Sequence, residues 1–400
     1  MNGGNKHSGR RAFLRQMATA IACGGSASIG VPLAMMATTL GSKNHFSASG
    51  KKDYRALVCV YFCGGNDAWN LLVPTDRAGY AQYANARGAL ALRSQDLLRV
   101  DMRSDGEFGM HPSCVELQAL FNAGHLAAVA NIGALLRPTT AASYAKKNVP
   151  LPAQLFSHAD AIPARSRYGN INLVPNRALS DLLAQTFAIS PQKNIIPRIP
   201  AMPISEPSPD RDLAASATLA PAFPPDNRLA SQLQTVAQTI QAHAASRNAR
   251  HIFFVPMRGF DLHSHLLNIQ PGQFRQISQA LAAFYRALEA MNLARNVTLF
   301  TMSEFARTLQ NNGSGADHAW GSLQLVMGGA INGGRIYGEY PALASNAPQV
   351  IERGTLVPTT SIDQLAATLG KWIGIGNSDL HTIFPNRGFF SPDDLALFDS

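Results

Sequence analysis

The sequence predicts an α/β fold with a mostly parallel central sheet flanked by helices. Two short apolar runs, 56–62 and 297–302, are continuous rather than alternating, which is typical of strands buried on both faces. Between them, apolar residues recur at spacings of three and four, which predicts helices packed on the sheet. This strand, helix, strand order favours parallel strands joined by crossover helices.

The composition is typical of a globular protein and gives no sign of nucleic-acid binding. The 400 residues are 46% hydrophobic and 15% charged, enough for one large domain or two. The formal net charge is +9, and the first 45 residues supply five positive charges, so subtracting five leaves +4. We find no basic stripe with interleaved aromatic residues, and no nucleic-acid partner is expected.

Residues 1–45 are predicted to be a twin-arginine signal peptide with a disordered leader. Arg10 and Arg11 precede a weakly apolar segment, Met17 to about Leu40, which glycine, serine and proline interrupt. That segment is poorer than a transmembrane helix requires, so no stable membrane insertion is expected after signal removal; an uncleaved anchor is the alternative. The expected location is the bacterial periplasm or outside the cell, reached through the twin-arginine machinery, which carries folded proteins.

A single domain is predicted over 54–390, and its first strand ends in Gly64-Gly65-Asn66-Asp67. The glycines permit a tight turn that would present Asp67 where open α/β sheets bind ligands. A turn-forming Asn-Asp pair is the alternative.

The next elements continue the α/β order. Ser113 and Glu116 are spaced as a capping box that opens a helix to Ala123, and Gly124 suits its C-terminal cap. The run 126–132 is the following strand.

Ser157 lies beside His158 where a helix could begin. The serine could be a nucleophile. The backbone amides at the start of the helix would then donate hydrogen bonds to its oxyanion or to a bound anion. A serine N-cap is the alternative.

A proline-rich loop or insertion is predicted at 196–226, which holds eight of the 24 prolines. An amphipathic helix and a strand at 252–255 follow. Asp261, His263 and His265 come next, and alternate side chains of an extended segment share a face, so they can converge on a metal.

The strand at 297–302 is followed by Ser303 and Glu304, and a glycine-rich loop then leads to Asp317 and His318. A carboxylate at one strand end and an Asp-His pair on the next loop can form a site. The alternatives are a loop cap for Glu304, an Asx-turn for Asp317 and an ordinary hydrogen-bonded histidine at 318. Ser361 and Gln364 then form a capping box for a closing helix.

Six ordered motifs resemble one family. They are Gly-Gly-Asn-Asp-x-x-Asn (64–70), Ser-His-x-Asp (157–160), Gly-Phe-Asp-x-His (259–263), Ser-Glu-Phe-x-Arg-Thr (303–308), Asp-His-x-Trp-Gly (317–321) and Gly-Gly-x-x-Tyr-Gly (333–338). With the leader, they resemble the uncharacterised bacterial family called domain of unknown function 1501, from about residue 54 to 384. That family is similar to the alkaline phosphatase and sulfatase superfamily, which implies a three-layer α/β sandwich with a bimetal site.

The resemblance also implies roles for individual residues. Those at metal positions are Asp67, Asp261, His263, Glu304, Asp317 and His318. Ser157 matches the nucleophile position. Two departures stand out: Phe305 replaces a usual histidine, and 161–168 lacks the residues expected after the nucleophile.

The leading hypothesis is an exported metal-dependent hydrolase of phosphate or sulfate esters, either small molecules or polysaccharides. One or two divalent ions would lower the pKa of a bound water or of the serine hydroxyl and would neutralise charge on the transferred group. The mixed histidine and carboxylate ligands suit Zn²⁺ or Mn²⁺. Arg307 and Arg258 are candidate anion clamps. The alternative is a non-catalytic exported binding or structural protein on the same fold with a degenerate metal site.

Overall fold

The computed structural model describes residues 36–41, 54–152, 155–158, 222–244 and 249–398. Most of the predicted leader and the proline-rich segment up to residue 221 lie outside these ranges.

The strands and helices follow one another in α/β order. The strands are β1 (Met36–Gly41), β2 (Arg55–Phe62), β3 (Leu72–Pro74), β4 (Leu98–Arg99), β5 (Phe108–Met110), β6 (Leu126–Gly133), β7 (Ala249–Met257), β8 (Val297–Ser303), β9 (Ala306–Arg307), β10 (His318–Ala319), β11 (Ser322–Gly328), β12 (Ile336–Tyr337), β13 (Val350–Ile351), β14 (Thr355–Leu356) and β15 (Thr360–Ser361). The helices are α1 (Arg77–Arg87), α2 (Val115–Ala123), α3 (Ala141–Ala145), α4 (Arg228–His243), α5 (Leu266–Ala290), α6 (Ile362–Ile373) and α7 (Asn377–Ile383).

The main sheet is mixed and mostly parallel, as predicted. Its order is β1-β7-β2-β8-β11-β6-β12, and β15 also pairs with β6. Strands β7, β2 and β8 are parallel neighbours, whereas β11 runs antiparallel to both β8 and β6. The strand at 36–41, which falls within the predicted leader, pairs antiparallel with β7.

Helices cover both faces of the sheet because alternate side chains of each buried strand point to opposite sides. Along β2, Val58 and Val60 pack with α2, α4 and α5. The intervening Cys59 and Tyr61 pack with α6 and α7 on the other face. The continuous apolar runs therefore mark doubly buried strands, and these predictions are confirmed.

Two of the three helix caps predicted from the sequence are present in the structure. Gly124 ends α2 in the left-handed conformation, and Ser361 with Gln364 forms the capping box of α6. The predicted capping box of α2 was wrong: Cys114 is the N-cap, and the Glu116 carboxylate instead accepts a hydrogen bond from Ser278, 2.6 Å away. A tertiary hydrogen bond from α5 thus replaces the local one.

The carboxyl ends of β7, β2 and β8 meet at one edge of the sheet, because the three strands are parallel neighbours. The loops that follow them carry most of the predicted site residues. Within the described residues, no helix has the length and apolar character needed to cross a membrane.

Candidate metal centre

Asp261 is the hub of a cluster at this sheet edge. It lies in the loop after β7 and approaches the backbone of Gly64 after β2 so closely that a Cβ there would stand 2.6 Å from the Asp261 nitrogen. Gly64 has φ +101°, which an L side chain rarely adopts. The glycine therefore lets the two strand-end loops touch.

Three histidines direct a ring nitrogen at the Asp261 carboxylate. The His263 and His318 Nε2 atoms lie 3.1 and 3.3 Å from Oδ1. The His158 Nε2 atom lies 3.5 Å from Oδ2. The two nitrogens of His263 and His318 are 3.0 Å apart.

These separations suit a common metal ion. Ligands at about 2.0–2.1 Å from a tetrahedral zinc ion are about 3.3–3.4 Å from one another, since a tetrahedral edge is about 1.6 bond lengths. The distances among His263, His318 and Asp261 Oδ1 are 3.0–3.3 Å, and His158 lies 3.5 Å from the other oxygen, Oδ2, so the four values bracket that separation. His158, Asp261 and His318 each offer one ligand atom within 4.8 Å of the others, so these residues could hold a metal ion.

A second ring of oxygen atoms contacts the opposite nitrogen of each imidazole. The Nδ1 atom of His158 faces Glu304 Oε1 at 3.3 Å, and that of His263 faces Asp317 Oδ1 at 3.3 Å. The Nδ1 atom of His318 lies 2.8 Å from the carbonyl oxygen of Phe156. A proton on Nδ1 satisfies all three contacts and leaves each Nε2 lone pair for a metal, a usual arrangement at metal-binding histidines.

Glu304 and Asp317 therefore lie behind the histidines. Glu304 Oε2 also accepts a hydrogen bond from the Gly64 amide at 2.7 Å. Asp317 Oδ1 accepts another from Asn312 at 2.9 Å. Glu304 was predicted as a ligand, and Asp317 as an extra ligand or a residue that orients the ligands; the contacts of both suit the orientation of His158 and His263.

Arg307 is buried and holds the loops together. Its guanidinium donates to the carbonyl oxygens of Gly64, Gly65, Phe260 and Ala316. The Nη2 atom also lies 2.5 Å from Asp261 Oδ1. The predicted anion clamp is thus committed to protein partners, and its role here is to fix Asp261.

Asp67 is placed apart from this cluster by its contacts. Its carboxylate pairs with Arg87 at 2.6 Å, and both side chains are almost completely buried. It also accepts from the Trp69 amide at 3.2 Å and caps the short 3-10 helix Ala68–Asn70. The structure gives Asp67 a structural ion pair where the sequence suggested a metal ligand.

His158 was missed as a ligand, although its neighbour was singled out. Ser157 is exposed, whereas the adjacent imidazole reaches Asp261 and Glu304. Phe305 packs on the cluster as well, stacked on His318 with ring centroids 4.0 Å apart. Phe305 thus supports the imidazole of His318 and meets that of His158 edge-on.

Local hydrogen bonds and charges favour the ionised forms of Asp261 and Asp317. Burial opposes the charge of Asp261, but the hydrogen bond and charge of Arg307 outweigh it, and its pKa is lowered. The pKa of Asp317 is also lowered, because its hydrogen bonds outweigh burial. Burial lowers the pKa of His318 despite its bond to Phe156. Ionised carboxylates and a neutral imidazole are the forms that bind metals.

A small hollow lies beside the cluster. Glu304 and Phe305 belong to both, and Leu155, Met302 and Trp320 form part of its largely apolar wall. The hydroxyl of Ser322, which also lines the hollow, is buried and has no hydrogen-bond partner among the described residues.

Residues 201–386 match the model of a family described as protein of unknown function (DUF1501). The matched range contains Asp261, His263, Glu304 and His318, but His158 precedes it. No curated protein matches the chain. The family match supports the relationship predicted from the motifs.

Proposed function

We propose that the protein is an exported metal-dependent hydrolase of phosphate or sulfate esters on an alkaline-phosphatase-like three-layer fold. The observation that carries this proposal is the convergence of three imidazole Nε2 atoms on Asp261, with an oxygen acceptor behind each ring. A site in which every ligand is oriented by a second group is pre-organised for a cation. An ion held by the four residues of this cluster would take water or substrate as a fifth ligand, an expansion that catalytic zinc centres use.

The cofactor in this proposal is one divalent ion, zinc or manganese, bound by His158, Asp261, His263 and His318. When bound, it would neutralise charge on the ester oxygens and lower the pKa of a water. Nitrogen-rich ligand sets favour zinc over calcium or magnesium.

The chain's own residues have three tasks in this reaction. Arg307 fixes the Asp261 carboxylate, and Glu304 and Asp317 hold the proton-bearing Nδ1 atoms of two histidines. Asp261 and His263 are about half exposed, so an ester can reach them from solvent. We expect water to attack phosphorus or sulfur, the ester bond to break and the alcohol to leave with a proton.

Ser157 has a weaker claim to the role of nucleophile. It is exposed beside His158, and no described contact activates its hydroxyl. Direct attack by water requires no activated serine, so we favour hydrolysis without a covalent intermediate. Ser157→Ala would then retain most of the activity.

Export completes the proposal. The twin-arginine route transports folded proteins, so the metal can be bound before transport. The substrates would be small-molecule or polysaccharide esters in the periplasm or outside the cell.

The test combines metal content with ester hydrolysis. The protein is purified after export by its own leader, its metals are measured by elemental mass spectrometry, and 4-nitrophenyl phosphate and 4-nitrophenyl sulfate are assayed. We expect stoichiometric zinc or manganese and turnover of at least one ester. Both should be lost in His158→Ala and His263→Ala.

His265→Asn is the matched control. His265 is an exposed histidine two residues from His263, and asparagine tolerates its left-handed backbone, φ +54°. The control should keep metal and activity. Bound metal without turnover of either ester would refute the hydrolase and favour a non-catalytic binding protein; absence of metal would refute both.

A further inference from the structure

Arg353 is carried to the rim of the metal centre by a tight turn. The turn connects β13 and β14, which pair antiparallel, and the carbonyl oxygen of Gly354 accepts a hydrogen bond from the Leu309 amide at 2.8 Å. Arg353 itself has φ +60° and ψ +24°. Such a left-handed conformation is unfavourable for a residue with a Cβ and is concentrated at functional sites.

One edge of its guanidinium is anchored beside the centre. The Nη2 atom of Arg353 forms an ion pair with Asp317 Oδ2, and the other oxygen of that carboxylate contacts His263 Nδ1. The Arg353 side chain is nevertheless 70% exposed. Its head is therefore oriented by one carboxylate while much of it remains open to a ligand.

The charges around the centre favour an anion there once a divalent cation is bound. Three carboxylates, those of Asp261, Glu304 and Asp317, stand against the two guanidinium groups of Arg307 and Arg353. With neutral histidines this gives a net charge of −1, and a divalent ion changes it to +1. Arg307 is buried and committed to carbonyl oxygens and Asp261, which leaves Arg353 as the exposed cation anchored to the centre in the described structure.

We propose that Arg353 recognises a tetrahedral oxyanion, phosphate or sulfate, held at the His158, Asp261, His263 and His318 centre. The Asp317 carboxylate and the His263 imidazole separate the Arg353 guanidinium from the centre. Rotation of the long, exposed side chain would bring the guanidinium to an anion held there. Its planar donor fork matches the oxygens of either anion. This inference rests on the proposed hydrolase function and names the residue that would bind the ester's charged group.

The test is calorimetric titration of the zinc-loaded full chain with inorganic phosphate and, separately, with sulfate. Arg353→Asn removes the guanidinium and tolerates the left-handed backbone. It should weaken anion binding by about tenfold, the usual effect of losing a charge-assisted hydrogen bond. Arg353→Lys keeps the charge without the fork and should fall between this variant and the wild type.

Arg93→Ala is the matched control, because Arg93 is also an exposed arginine paired with a carboxylate, that of Asp96, and it lies between α1 and β4, outside the loops of the centre. It should retain wild-type anion affinity, and every variant should retain its zinc. The inference is overturned if the wild type binds neither anion, if Arg353→Asn binds as the wild type does, or if its weaker binding simply follows zinc loss.

The titration also separates this inference from the proposed function, since binding requires no turnover. Phosphate or sulfate binding that depends on Arg353, in a protein that hydrolyses neither ester, would refute the hydrolase and leave anion recognition standing. If Arg353→Asn changes neither ester hydrolysis nor anion affinity, the role of Arg353 is refuted and the hydrolase function stands.

Discussion

The Asp67→Ala variant tests whether Asp67 is a structural ion or a metal ligand. Its partner Arg87 is completely buried and also donates to the carbonyl oxygens of Thr308 and Leu309, at 3.1 and 3.3 Å. Removal of the carboxylate leaves that guanidinium buried without its counter-charge. Breaking a buried ion pair in this way costs about 3–5 kcal/mol.

The expected loss is measurable as a shift in thermal unfolding. For a domain of this size each kcal/mol lowers Tm by about 2–4 °C, so Asp67→Ala should unfold roughly 10 °C below the wild type. The zinc content of the folded protein should not change. Calorimetry and elemental analysis of the same samples give the two values.

A surface pair supplies the control. Asp96 pairs with Arg93 at 2.7 Å, but the arginine side chain is 75% exposed. Asp96→Ala should therefore cost less than about 1 kcal/mol. An Asp67→Ala protein with normal Tm and lost zinc would refute our assignment and restore Asp67 as a ligand.

Three further predictions concern the histidines and the loops. Asp317→Asn should weaken zinc binding by about 10–100-fold while Tm changes little, because it weakens the partner of His263 Nδ1; unchanged affinity in a chelator competition would contradict this. Burial lowers the pKa of His111 and of His251 from 6.5 to about 4, so the unfolded chain takes up protons first and stability should fall as pH drops from 6.5 towards 4, by up to about 3 kcal/mol for each. Urea unfolding across that range should show a shallower fall for His111→Asn, and an identical slope would count against the assignment. Gly64→Ala should lower Tm and zinc affinity together, since its Cβ would meet Asp261; a variant that behaves as the wild type would show that the loop contact is dispensable.

The buried strands could be predicted because their signal is local. A continuous apolar run such as 56–62 is sufficient to mark a strand covered on both faces, and the structure confirms it. Because the carboxyl ends of neighbouring parallel strands meet at one edge of a sheet, the loops after β7, β2 and β8 are expected to lie together there. These steps predict that the loops carrying Asp261, His263 and His318 lie near one another, and the three side chains are in contact in the structure.

The roles of individual side chains depended on partners distant in sequence. Asp67 precedes helix α1 and Arg87 is the last residue of that helix, and no local pattern marks them as a pair. Arg307 resembles an anion clamp until its four carbonyl partners, supplied by three loops, are known. The sequence indicated His158 only as the neighbour of Ser157, and its contact with Asp261 is visible only in the structure.

The most direct test of the central claim is X-ray absorption spectroscopy at the zinc edge of the loaded protein. We expect three imidazole nitrogens at about 2.0–2.1 Å from the zinc ion, together with a carboxylate oxygen. The count should fall to two imidazoles in His158→Ala and remain at three in His265→Asn. A zinc ion surrounded mainly by oxygen, or a spectrum unaffected by His158→Ala, would contradict the assignment of the centre.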